Sequence, residues 1–364
     1  MMSSFPLSLK KQSGVSTVPD RHCGHSSLRL PILGIGCWSF GDGEYWGPTD
    51  QSATDAVVRY AVDHGCYYFD TAEAYNKGAS EISLGRAIKG ISRDQVIIGT
   101  KISPSNTEPK TLVQHCEESL RRLQTDYIDL YMVHWPITPH AIHHFTSEAI
   151  PTPSVHDAFQ TLQQLQREGK IRFIGVSNFG RDKMEEALAT GAQIVLNELP
   201  YSLLTRAIEW DILPYCREKG IGVLGYMALM QGVLAGIYRT LDDVPLWQRR
   251  TRHFDSRRSP ECRHGMTGHE KELIRTLEDL SKIAQKYDVS MATMALQWAM
   301  AGNGITSSLC GVRSVEKLKQ NIAAALNPID PEIRDALNKA TDLLRAVMGP
   351  GFDYYENSEN DRTK

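Results

Sequence analysis

The sequence has no apolar run long enough to cross a bilayer, no paired CxxC, no excess of positive charge and no GxGxxG turn. Each absence removes a class of function. A membrane helix needs about 20 mostly apolar residues in succession, so no membrane partner is expected. A formal net charge of −3, from 40 basic against 43 acidic residues, leaves no basic footprint for nucleic acid. The cysteines, Cys23, Cys37, Cys66, Cys116, Cys216, Cys262 and Cys310, stand singly and are odd in number. That pattern argues against a disulfide framework or thiolate zinc site and for a reducing, cytoplasmic setting. Gly34-Ile35-Gly36 runs into Cys37-Trp38-Ser39 without a third glycine, so a Rossmann domain is not supported.

What is present is an ordinary globular composition, 41% hydrophobic and 23% charged over 364 residues, enough for a large core. Residues 1–28 are Ser-rich and carry Lys10, Lys11 and Arg21 against Asp20. They read as a flexible N-terminal extension, since a presequence would carry more arginines. From Leu30 onward, short apolar runs alternate with amphipathic stretches. Strands are expected at Leu33–Cys37, Cys66–Phe69, Val96–Thr100, Ile128–Val133, Ile171–Val176, Ile194–Leu196, Ile221–Tyr226 and Ser307–Cys310. Their density in Ile, Val, Leu and Tyr suits strands buried on both faces. Helices are expected between them, the seventh of the interstrand helices at His269–Lys286, while Met291–Met300 and Pro331–Leu344 fall outside the simple repeat. Gly90, Gly191 and Gly220 follow helical stretches as terminating glycines do. The alternation predicts an α/β fold, a single-domain (β/α)8 TIM barrel over residues 29–344, with a C-terminal tail over 345–364. Long connections after strands four (136–153) and seven (236–268) would wall a pocket at the barrel mouth.

The chemistry sits just past the strands, in Phe69-Asp70-Thr71-Ala72-Glu73-Ala74-Tyr75, Gly99-Thr100-Lys101, Val133-His134-Trp135-Pro136, Gly175-Val176-Ser177-Asn178-Phe179 and Gly225-Tyr226. Neighbouring parallel strands would bring Asp70, Tyr75, Lys101 and His134 to one mouth. A phenol of ordinary pKa about 10 is a poor acid at neutral pH. An ammonium beside it favours phenolate and lowers that value, and Asp70 would hold the ammonium in an ion pair. His134 would orient a carbonyl oxygen or relay a proton. Taken singly, each member has a plainer reading. Asp70 and Thr71 would cap a helix, Lys101 would be a solvated cation, and His134 a hydrogen-bonded rim residue. It is their joint arrival at neighbouring strand ends that favours chemistry.

Trp38, Trp46 and Trp135 are candidates for an aromatic wall around a substrate. His140, His143 and His144, with Cys262 and His264 in the other long loop, have the residue types of a metal site. No carboxylate or cysteine completes them locally, so no metal is expected and a polar lid is the better reading.

The segments FDTAEAYNKGASEISLGRAI, IIGTKI, DLYMVHWP, GKIRFIGVSNF and GVLGYMALMQGVLAG, in this order and spacing, resemble the aldo-keto reductase family from about Leu30 to Leu344. The resemblance implies reversible hydride transfer between a nicotinamide cofactor and an aldehyde or ketone. It implies Tyr75 as the acid, Lys101 and Asp70 tuning it, and His134 positioning the carbonyl. Ser177 and Asn178 match the family's carboxamide-binding pair, and Tyr226 the aromatic that stacks on the ring. Glu198 stands where glutamine is common; a carboxylate accepts but has no donor when ionised. Backbone groups of Leu229, Gln231, Gly232 and Leu234 would cradle the pyrophosphate, although Met227-Ala228 replaces the usual Ser-Pro. Gly311, Arg313, Ser314, Lys317 and Asn321 resemble the adenosine-phosphate segment, Lys317 standing where glutamine is common. The two cations favour NADP(H), with NAD(H) the weaker alternative. A nicotinamide-binding regulatory subunit with little turnover is the alternative function.

Overall fold

All eight apolar runs expected as strands form, and they close on one another. The computed structural model describes residues 17–364; residues 1–16 of the expected extension lie outside the described residues. The barrel strands are β3 (Leu33–Gly36), β4 (Tyr68–Asp70), β5 (Ile97–Ile102), β6 (Ile128–Val133), β7 (Ile171–Ser177), β8 (Ile194–Pro200), β9 (Gly222–Tyr226) and β10 (Ile305–Gly311). They pair in parallel, and β10 returns to β3 to complete the ring. The fold is the expected (β/α)8 barrel.

Residues 20–28 depart from the flexible extension expected of them. β1 (Asp20–His22) and β2 (Arg29–Pro31) pair antiparallel, with Arg21 opposite Leu30. The Arg21 guanidinium donates to the carbonyls of Met300 and Ile305, both at 2.8 Å, fixing the hairpin to the barrel floor. Cys23, Leu28 and Leu30 join Tyr68, Ile97, Leu130, Leu196 and Leu224 in the cluster that fills the barrel interior. Burial of this apolar surface, at about 25 cal/mol per Å2, holds a segment whose polar composition suggested a free end.

Helices α1 (Gln51–Asp63), α2 (Ala79–Ala87), α3 (Pro109–Leu123), α4 (Pro139–Phe145), α5 (Val155–Arg167), α6 (Arg181–Ala189), α7 (Ile212–Glu218), α8 (Glu270–Tyr287), α9 (Met291–Met300), α10 (Val315–Leu326) and α11 (Pro331–Met348) complete the fold. Asp50, Ser154, Ser290, Ser314 and Asp330 each accept a backbone N–H at a helix start, a contact worth about 1 kcal/mol apiece. One expected assignment is reversed. The helix that packs on β10 and belongs to the repeat is α9, whereas α8 lies outside the repeat against α11. The reason is solvent exposure. α9 is apolar on most sides and buries Met294, Ala295, Leu296, Trp298, Ala299 and Met300; α8 is amphipathic and buries only Leu273, Thr276 and Leu280. No described helix is long and apolar enough to cross a membrane.

Two glycines matter to the site. A Cβ on Gly99 would stand 2.4 Å from the Tyr68 hydroxyl, so glycine there lets Tyr68 lie across the barrel and donate to Asp70 Oδ2 at 3.0 Å. A Cβ on Gly180 would stand 2.6 Å from the Thr363 carbonyl, so glycine there admits the C-terminal tail.

Candidate active site

Asp70 ends β4, Lys101 lies in β5, His134 follows β6, and Tyr75 opens the turn after β4. The structure brings all four together at the mouth formed by the C-terminal strand ends. Lys101 Nζ is fully buried and paired with Asp70. It also donates to the Thr71 carbonyl at 3.0 Å and to Tyr75 Oη at 3.3 Å. The His134 ring meets Tyr75 edge-on, with centroids 5.5 Å apart. Asn76 and Lys77, just past Tyr75, have φ of 51° and 54°. The Asn76 amide donates to the carbonyls of Trp38 (3.0 Å) and Phe40 (2.9 Å), which fixes this left-handed turn and with it the phenol.

The electrostatics differ from the sequence expectation at Tyr75. Burial raises its pKa, and although Lys101 pulls it down, Glu198 and Asp70 push it further up. The phenol is therefore protonated across the physiological range. Burial is also the largest cause at His134, where it acts together with Lys101 to hold the imidazole well below its ordinary value; the ring is neutral. Lys101 is held as the ammonium, since Asp70, Glu198 and Tyr75 outweigh the burial that opposes its charge.

The expected cofactor residues form a second arc. Ser177 and Asn178 close β7, and Asn178 takes a φ of 63°. Its amide donates to the His134 carbonyl (3.2 Å) and to Ser177 Oγ (3.0 Å), and its oxygen accepts from Tyr226 Oη at 2.8 Å. Glu198 lies beside this pair in β8 and approaches Lys101 Nζ to 3.2 Å. Two buried polar atoms here have no hydrogen-bond partner, His134 Nδ1 and Glu198 Oε2. After β9, Leu229, Gln231, Gly232 and Leu234 form a tight turn with φ of 53° at Gln231 and 101° at Gly232. The N–H groups of Gly232 and Leu234 both donate to the Leu229 carbonyl, so they are already engaged. At the end of β10, Gly311, Arg313, Ser314 and Lys317 are exposed, and Asn321 donates to Cys310 Sγ at 3.2 Å. Arg313 reaches the carbonyls of Trp46 (2.9 Å) and Pro48 (2.8 Å), tying the end of the last strand to the loop after the first.

Of the three expected wall tryptophans, Trp38 and Trp46 are together, edge to face at 5.6 Å. The wall includes two residues the sequence did not single out, Tyr45, 5.8 Å from Trp38, and Trp247, 4.9 Å from Trp46. Trp247 comes from the long connection after β9, in the short helical turn Leu246–Gln248. Trp135 makes none of these ring contacts among the described residues; the Arg362 guanidinium covers its ring at 3.9 Å. The connection after β6 contains α4, whose Phe145 packs 5.4 Å from His134. His140, His143 and His144 are exposed on that helix. Among the described residues, no group of three or more His, Cys, Asp or Glu side chains stands ready to hold a metal ion.

The tail is part of this mouth. Arg362 pairs with Asp353 through two 2.8 Å bonds. Arg252 donates to the carbonyls of Met348, Gly351 and Asp353. Gln231 Nε2 donates to Tyr355 Oη at 3.0 Å, and Gly180 N donates to the Thr363 carbonyl at 2.9 Å. The tail thus crosses from the β9 turn to the end of β7.

Sequence comparison agrees with this architecture. The profile described as "Aldo/keto reductase family" matches residues 32–342. The chain is 31% identical over 320 residues to an "NADH-specific methylglyoxal reductase" of Escherichia coli (strain K12), covering 83% of this chain and 91% of that protein. It is 33% identical over 341 residues to "Aldo-keto reductase YhdN" of Bacillus subtilis (strain 168), covering 90% and 95%. Among solved structures, an aldo/keto reductase from Klebsiella pneumoniae in complex with NADP and acetate superposes with a TM-score of 0.65 at 26% identity, over 96% of this chain and 99% of that one.

Proposed function

The chain belongs to the aldo/keto reductase family, and from that premise we propose that it is an oxidoreductase interconverting an aldehyde or ketone and its alcohol with NADP(H). The observation that carries the proposal is the buried Asp70–Lys101 pair with its ammonium 3.3 Å from the Tyr75 hydroxyl. When bound, the nicotinamide would supply or accept the hydride. The chain's own residues handle the proton. Tyr75 gives its proton to the carbonyl oxygen. Lys101 offsets the charge left on the phenol, and Asp70 keeps the ammonium in place. His134, neutral and with Nδ1 unpartnered, orients the carbonyl oxygen without adding a charge.

Ser177, Asn178 and Glu198 offer the mixed donors and acceptors that a carboxamide requires, and the partly buried Tyr226 ring offers a face for stacking. Arg313 and Lys317, exposed beside the start of α10, favour a 2′-phosphate. Tyr75→Phe tests the acid. It should lower turnover by about a hundredfold to ten-thousandfold, the usual contribution of a positioned acid, while NADPH fluorescence quenching shows near-normal binding. Full activity in this variant would sink the assignment. The tail over Trp135 and Gln231 favours a second reading, a cofactor-holding protein of slow turnover; rapid NADPH oxidation with simple aldehydes decides against it.

A further inference from the structure

Lys101 faces not one carboxyl group but two. Asp70 and Glu198 converge on the same ammonium from β4 and β8, and the side chains of all three are 3% exposed or less. The two carboxyl groups thus share a single ammonium in a site closed to water. One ammonium balances one carboxylate, so a second buried carboxyl facing it is favoured with a proton. The partners decide where that proton sits. Asp70 is paired with Lys101 and accepts from Tyr68 Oη, which stabilises its charge. Glu198 Oε2 has only the longer 3.2 Å approach of that ammonium, without hydrogen-bond geometry, and no further donor.

We propose that Glu198 is a positioning residue that carries the proton of this two-acid, one-ammonium cluster and, through Lys101, sets how readily Tyr75 gives up its own. The inference rests on the reductase reading for its effect on catalysis, though not for the proton itself.

The surroundings agree. Burial is the main cause that raises Glu198 to about 8, with the Asp70 charge adding to it and Lys101 opposing it. The other ionisable groups facing Glu198 are Tyr68 from β4, Tyr75 from the following turn and Tyr226 from β9, and each is itself made harder to ionise by the Glu198 charge. From β7, Ser177 and Asn178 contribute no ionisable group. While Glu198 is protonated, the cluster is one ammonium against one carboxylate, and Lys101 acts fully on Tyr75. Once Glu198 releases its proton to solvent, a second negative charge offsets the ammonium. Tyr75 then becomes a weaker acid, and carbonyl reduction slows as pH rises through the Glu198 transition. A glutamine at this position would hold the same shape with no proton to lose.

Two measurements test this on the full chain. Infrared difference spectra of the wild type between pH 6 and 9.5 should show one buried carboxylic acid ionising, and the near-isosteric Glu198→Gln should lack that band. The pH profile of reductive kcat, each enzyme normalised to its own plateau, should fall near pH 8 in the wild type and stay flat roughly one pH unit further in Glu198→Gln. No acid band in the wild type, or a band and a falling limb that both persist in Glu198→Gln, would overturn the proposal. The expected band with no carbonyl reduction at any pH would support the proton on Glu198 and defeat the reductase reading instead.

Discussion

Removing the Arg362 guanidinium should release the C-terminal tail. Arg362 and Asp353 are 3% and 1% exposed and joined by two 2.8 Å hydrogen bonds. Arg362→Ala strands the Asp353 carboxylate in a buried site, which costs about 3–5 kcal/mol. It also removes a shielded cation–π contact with Trp135, worth about 2 kcal/mol. The barrel need not bear that cost, because the tail can lift and rehydrate Asp353. The loss is therefore capped by the free energy of tail docking and should read out locally. Two amides report it: Gly180 N–H, bonded to the Thr363 carbonyl, and Arg252 N–H, bonded to the Tyr354 carbonyl at 2.7 Å. At about 1.4 kcal/mol per tenfold, hydrogen exchange at both should accelerate about a hundredfold or more, with the barrel strands unchanged. Asp353→Ala combined with Arg362→Ala should cost less than the sum of the single changes, since neither charge is then stranded. Wild-type exchange at Gly180 and Arg252 in Arg362→Ala would refute the reasoning.

Three further outcomes are expected. Arg313→Ala with Lys317→Ala should reduce the preference for NADPH over NADH by about tenfold, read from kcat/KM with each cofactor; an unchanged ratio would remove these cations from phosphate recognition. Gly99→Ala sets a Cβ 2.4 Å from the Tyr68 hydroxyl, so it should destabilise the barrel by about 1–3 kcal/mol in urea unfolding and lower turnover by displacing Tyr68 from Asp70. A stable variant with full activity would count against that link. His115 accepts no such simple sign, because it pairs with Glu73 at 2.7 Å. The hydrogen bond to Glu73 raises His115, against burial, and Glu73 is lowered by His115 and its other donors, also against burial. The His115 contribution is complete below its unfolded value of about 6.5 and fades as pH rises through the folded value; that of Glu73 is complete above about 4.3. The Tm difference between wild type and His115→Gln should thus be largest between about pH 4.5 and 6.5 and narrower at pH 9, and a difference that grows with pH would contradict it.

Much of this mouth is legible in the chain because barrel strands are short, doubly buried and therefore dense in apolar residues. That density marks all eight strands, and the C-terminal end of each opens on the mouth, so Asp70, Lys101, His134, Ser177 and Tyr226, at or beside those ends, can be named from spacing. Periodicity cannot rank two neighbouring helices by their distance from the barrel, so it does not show that α9, not α8, packs on β10. Nor can it see contacts between distant segments. Arg362, 227 positions after Trp135, lies over its ring, and the hairpin before β3 reads as a free end until Arg21 is seen on the carbonyls of Met300 and Ile305.

The same division runs through the electrostatics. A tyrosine, a lysine and an aspartate near successive strand ends are brought to one mouth, since local backbone geometry dictates where those side chains emerge. The sign of the shift at Tyr75 is a different kind of property. Burial outweighs Lys101 and raises it, and Glu198, from β8, adds to the rise once it carries charge. Desolvation and long-range charge depend on which atoms surround a group in three dimensions. Strand density and spacing by themselves therefore determined the fold and the meeting of Asp70, Tyr75, Lys101 and His134 at one mouth, and the motifs carried the family resemblance. Only tertiary structure decided that Glu198 faces the same ammonium, that the tail crosses their mouth, and that burial keeps the proton on Tyr75.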